Sequence, residues 1–97
     1  MKAHLYKMTC WEQNKKWHVN DVTNLSGLSA KWYTPLHILG LTIDDYIDLL
    51  LNKFHAKGLH YYEQTDYLGF HFLKEYDAKA FCSYVNKEAR SKQYYCE

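Results

Sequence analysis

The chain has 97 residues, enough for one hydrophobic core and too few for two, so residues 1–97 read as a single globular domain. It is 47% hydrophobic and 24% charged, with one proline and four glycines, which separates it from disordered and low-complexity sequences. Twelve basic against eleven acidic residues leave a formal charge of +1, too little to hold polyanions by bulk charge and equally unlike an acidic mimic of DNA.

Residues 3–11 predict a strand, with Leu5 opposite in phase to His4, Tyr6, Met8 and Cys10. Both faces are bulky, which leaves the inward face open. Residues 12–16 are polar enough for a hairpin loop, and Trp17 to Val22 returns as a second strand. Turn residues over 23–30 predict a loop. Thr34 then N-caps a short helical turn with Pro35 at its first position and Gly40 as its stop, a hydrophobic plug with Leu36 and Leu39 inward.

The first long helix has the clearest signals. Thr42 is its N-cap, Leu41 and Tyr46 form a hydrophobic staple, and Asp44 and Asp45 sit in the first turn, where the dipole favours negative charge. Ile43, Tyr46, Ile47, Leu50 and Phe54 share one face, and Gly58 is placed to cap the end. A hairpin follows, residues 59–64 and 67–73, with Leu68, Phe70 and Phe72 on one face and Tyr67, Gly69, His71 and Leu73 on the other. Asp77 caps a last helix over 78–91. Its inward stripe is Ala78, Phe81, Cys82, Val85 and Ala89, with Lys79, Ser83, Asn86, Lys87 and Arg90 in water.

The resulting order is ββαββα. Its simplest packing is an α+β fold, a mostly antiparallel four-stranded sheet with two helices on one face. The other sheet face is then partly open and carries aromatics.

Little in the chain points to chemistry. Cys10, Cys82 and Cys96 are odd in number and lack framework spacing, so they read as reduced thiols of a cytosolic protein, none catalytic. Six histidines show no close pairing of the zinc-site kind; the nearest to a cluster is His60 facing His71 across the hairpin, with Cys10 beside them. No phosphate-cradling glycine loop and no local nucleophile signature occur, so no metal, cofactor or catalytic residue is expected. The start leads into no apolar run of signal or membrane-span length. Asp44, Asp45 and Asp48 make one local charge cluster, and Lys79, Lys87, Arg90 and Lys92 make another. Both suit helix dipoles on solvated faces.

The abundance that stands out is tyrosine, ten residues beyond an already sufficient set of large apolar side chains. A tyrosine ring favours a dry contact while its hydroxyl stays wet, so the surplus points to a contact surface. The hairpin residues Tyr61, Tyr62, Tyr67 and His71, with Trp11 and Trp17 nearby, are the expected partner-binding set. The expected partner is a protein or protein complex, with a homodimer as a further option and no membrane.

Two resemblances add to this. Residues 69–73, Gly-Phe-His-Phe-Leu, resemble the third-strand motif of RNA recognition motif domains, whose aromatics stack on unpaired bases. That likeness implies an alternative, a nucleic-acid surface of Phe70 and Phe72 with Lys87 and Arg90. The chain departs from the family at Leu68 and Glu75, and it has no fourth strand after the last helix. Residues 32–35, Trp-Tyr-Thr-Pro, and 84–92, Tyr-Val-Asn-Lys-Glu-Ala-Arg-Ser-Lys, resemble small accessory proteins of bacteriophages from low-GC bacteria. This second resemblance implies a non-enzymatic viral protein in the bacterial cytoplasm that blocks a host factor stoichiometrically, as anti-CRISPR and other anti-defence inhibitors do.

Overall fold

A computed structural model describes residues 6–23, 33–65 and 67–93. Of the loop expected over 23–30, Thr23 instead ends a strand and the rest lies outside them, as do Trp32 and Cys96. The described elements are β1 (Tyr6–Gln13), β2 (Lys16–Thr23), α1 (Tyr33–Leu39), α2 (Ile43–Asp48) continued by a π-helical stretch (Leu49–Lys53), β3 (Lys57–Tyr62), β4 (Tyr67–His71) and α3 (Glu75–Ser91). The α+β class holds.

The single four-stranded sheet does not. β1 pairs antiparallel with β2 and β3 with β4, giving two hairpins. Among the described residues they join only where Trp17 and Phe72 exchange backbone hydrogen bonds of 2.7 and 2.8 Å. Trp17 sits one residue past the β1–β2 turn and Phe72 two residues before α3, so pairing runs out in that direction. In the other direction the strong twist of two-stranded ribbons drives β2 and β4 apart.

The first turn is also tighter than the polar run suggested. Asn14 and Lys15 both take positive φ, 55° and 61°, the two-residue turn whose twist matches its flanking strands. The register is thereby fixed at Trp11↔His18 and Cys10↔Val19. Tyr6 and Met8 are buried while Lys7 and Thr9 are exposed, which settles the inward face of β1.

Helix α1 begins at Tyr33, so Thr34 lies inside it rather than capping it, and Pro35 is its third residue. Gly40 stops it as expected, with φ +66° and its N–H on the Leu36 carbonyl. Leu36 and Leu39 are half-buried against the core, and Ile38 is the residue fully enclosed. The Lys92 ammonium bonds the Ile38 carbonyl, tying α1 to the end of α3.

Thr42 caps α2 as read, its hydroxyl accepting from the Asp45 N–H at 3.2 Å. Tyr46, Leu50 and Phe54 are buried, with Ile43 and Ile47 half-buried beside them. Gly58 does not end this helix. His55 takes the left-handed position (φ +59°), and the Phe54 and Ala56 N–H groups reach back to the Leu49 and Leu50 carbonyls. Gly58 belongs to β3, where the β3–β4 register slips.

The stripe of α3 is as read: Ala78, Phe81, Cys82, Val85 and Ala89 are all buried. The helix starts three residues early, with Lys74 at the cap position and Asp77 in the first turn, 3.4 Å from the His55 ring. Phe81 is the hub of the core, its ring 5.4 Å from Phe54, 5.8 Å from Phe72, 6.0 Å from Phe70 and 6.4 Å from Tyr46. Asn86, expected in water, instead holds the β1 backbone. The Met8 N–H donates to its Oδ1 (2.8 Å) and its Nδ2 donates to the Met8 carbonyl (3.0 Å). Among the described residues no helix is long and apolar enough to cross a membrane.

Candidate functional site

Helix α3 covers the face of the hairpins that carries Tyr6, Met8, Leu68 and Phe72. Strand alternation sends the intervening side chains the other way. On β1 these are Lys7, Thr9, Trp11 and Gln13, and on β2 they are Lys16, His18 and Asn20. The second hairpin contributes Tyr67, Gly69 and His71 from β4 with Tyr62 and His60 opposite them on β3.

Rings run in a line from Trp11 to His71 on this outer face and form a second group around Tyr62 on the far hairpin. Trp11 stacks on its cross-strand partner His18 (centroids 5.3 Å, planes 28° apart), and His18 meets His71 at 6.4 Å. That contact carries the line over the single bridge from one hairpin to the other. On the second hairpin Tyr62 lies 5.9 Å from Tyr67 and 4.3 Å from His60.

Two glycines make room for these rings. A Cβ on Gly58 would stand 2.7 Å from the His71 ring, and one on Gly69 would stand 3.2 Å from Tyr62 and 3.4 Å from Tyr67. Each glycine therefore lets a ring lie close to the strand beneath it. Trp11, Tyr62 and Tyr67 are 43%, 50% and 50% exposed, large apolar surface that folding leaves wet. Partial burial, the Lys16 ammonium and the neighbouring His18 together hold the His71 imidazole below the ordinary histidine range. This favours the neutral imidazole.

Of the expected contact set, Trp11, Tyr62, Tyr67 and His71 share the outer face. Tyr61 pairs with Leu68 and points to the other side, although it too is 46% exposed. Trp17 is half-buried on the core side, opposite Glu12.

The alternative set fares differently. Phe72 is fully buried and Phe70 half-buried against Phe72 and Phe81, so neither offers a ring face to a base. Lys87 and Arg90 are exposed and line a shallow groove with Ser83 and Asn86 on α3, remote in register from the outer sheet face. The His60–His71–Cys10 grouping does not form. His60 pairs with Gly69, and Cys10 is on the core side. Among the described residues no three potential metal ligands converge.

Cys82 is buried, and burial first, with the adjacent Cys10 second, pushes its thiol up to about 12. Such a thiol carries almost no thiolate at neutral pH.

Sequence reasoning missed His18, His60, Lys7 and Lys16 as members of the face. A two-residue turn at Asn14-Lys15 would have placed His18 opposite Trp11, but that dipeptide lacks the glycine that announces such turns. No protein family, curated protein or solved structure matches the chain.

Proposed function

We propose that the protein is a non-enzymatic binding domain whose working surface is the outer face of its two hairpins. The observation that carries this is the connected row of half-exposed rings from Trp11 through His18 and His71, with Tyr62 and Tyr67 beyond it. Aromatic side chains left this wet by folding gain most when a partner dries them. Two glycines are placed to seat the rings, so the arrangement belongs to the strands and not to a loop that happens to lie there. In keeping with the phage accessory proteins it resembles, the protein occupies a host factor stoichiometrically, in the cytoplasm of a bacterial host. Tyrosine content favours a host protein as the occupant, with self-association as a second use of the same face.

The test is capture from a bacterial host extract by the purified chain, compared with Trp11→Ala and with Tyr62→Ala. Tyr76→Ala is the control, because Tyr76 is 79% exposed on α3 and off this face. Loss of capture by the first two variants and not by the control is expected. Equal capture by all four proteins would place the working surface elsewhere.

A further inference from the structure

The charge of the outer face narrows what it holds. None of its strand positions carries an aspartate or glutamate. Glu12 stands on the core side opposite Trp17, and Glu63 is in the β3–β4 turn. The cations are Lys7 and Lys16, both exposed, with Lys57 entering at the register position opposite His71. Among the described residues, the strand positions of this face are thus basic and aromatic and without a carboxylate, in a chain of net charge +1.

Lysine is depleted at protein–protein interfaces, whereas lysines around flat, half-exposed rings are what an unpaired strand of bases requires. The cations meet phosphates, and the rings stack on bases whatever their sequence. Keeping the surface of the binding reading above, on which this rests, and replacing its protein occupant, we infer that the outer face is a site for single-stranded nucleic acid.

The strand follows the line from Trp11 to His71 and on to Tyr62 and Tyr67. Each hairpin, two strands about 4.8 Å apart, offers stacking room for roughly one to two nucleotides, and the two hairpins together for roughly two to four. This is the opposite face from Phe70 and Phe72, so the RNA recognition motif likeness does not supply it.

A fluorescein-labelled ten-nucleotide oligothymidylate, followed by fluorescence anisotropy, tests the inference. Three lysine–phosphate contacts on a single strand predict about a twentyfold loss of affinity between 50 and 200 mM salt. Trp11→Ala and Tyr62→Ala should each weaken binding roughly fivefold or more at fixed salt, and Lys16→Glu should weaken it and flatten the salt dependence. All three side chains stand on the outer face, so folding is checked by circular dichroism and is expected to persist. Tyr76→Ala should bind as the parent does.

Failure takes distinct forms. If no oligonucleotide binds while host-extract capture still depends on Trp11 and Tyr62, the occupant is a protein and this inference falls while the binding reading stands. If neither is seen, both fall. If duplex DNA binds as well as the single strand and Trp11→Ala changes nothing, the attraction is to phosphate alone and the stacking site is refuted.

Discussion

Replacing Gly58 by alanine tests how the His71 ring is seated. Gly58 has φ +62°, a conformation that costs an L-residue about 1–2 kcal/mol. Its new Cβ would stand 2.7 Å from His71 Cε1 and 2.9 Å from Nδ1, so the ring must retreat by about 0.7 Å to reach ordinary contact. Pushing an imidazole off its rotamer costs about 0.5–1.5 kcal/mol, and the stiffer unfolded chain returns about 0.4–1 kcal/mol. The expected net loss is about 2 kcal/mol, read as a lower urea midpoint at unchanged slope and a melting temperature down by roughly 8–15 °C. The cycle with His71→Ala is the discriminating measurement. Without the ring only the backbone cost remains, so the same substitution should then cost about 1 kcal/mol less. A loss under about 0.5 kcal/mol, or the same loss in both backgrounds, would refute the seating.

Three further outcomes follow from the core and its thiols. Phe54, 6% exposed and edge-on to Phe81, should cost about 3–5 kcal/mol on substitution by alanine in equilibrium unfolding; a loss below about 1 kcal/mol would contradict the packing of α2 and its π-helical extension. Timed alkylation of the native protein should leave Cys82 unmodified at pH 8, since its thiol is buried and titrates near 12, and a fast-reacting Cys82 would overturn that placement. The lowered His71 value means that the unfolded chain binds more protons as pH falls through about 6.5, so stability is full above that pH and declines below it. Denaturation midpoints at pH 7.5 and 5.5 should differ less in His71→Gln than in the parent; an equal difference would show that His71 is not responsible.

What was legible in the sequence was what short-range periodicity determines. Ala78, Phe81, Cys82, Val85 and Ala89 recur at helical spacing over about three turns, and all five are buried. Phe54 kept its place despite the change from α to π, because four residues on from Leu50 is just past one kind of turn and just short of the other. Positions set by long-range contact were not legible. Asn86 lies on the flank of the helical wheel, and nothing local says that a strand 78 residues earlier runs beside it. Gly58 has the composition of a cap, yet His55 accepted the left-handed turn first. The open face was foreseen as a face, but its membership depends on register, and one unrecognised two-residue turn hid His18 and Lys16.

Across the bridge the strands run in the order β1-β2-β4-β3, which leaves two outer rims. At the first, the Asn86 amide answers the Met8 N–H and carbonyl as the next strand in a sheet would. That rim is thereby plugged against an incoming backbone. At the second, β3 pairs with β4 among the described residues. With the first rim plugged, backbone pairing at the second adds a single neighbour. Backbone pairing of two copies, β3 against β3 about a twofold axis, closes on itself at the dimer and cannot propagate into a fibril.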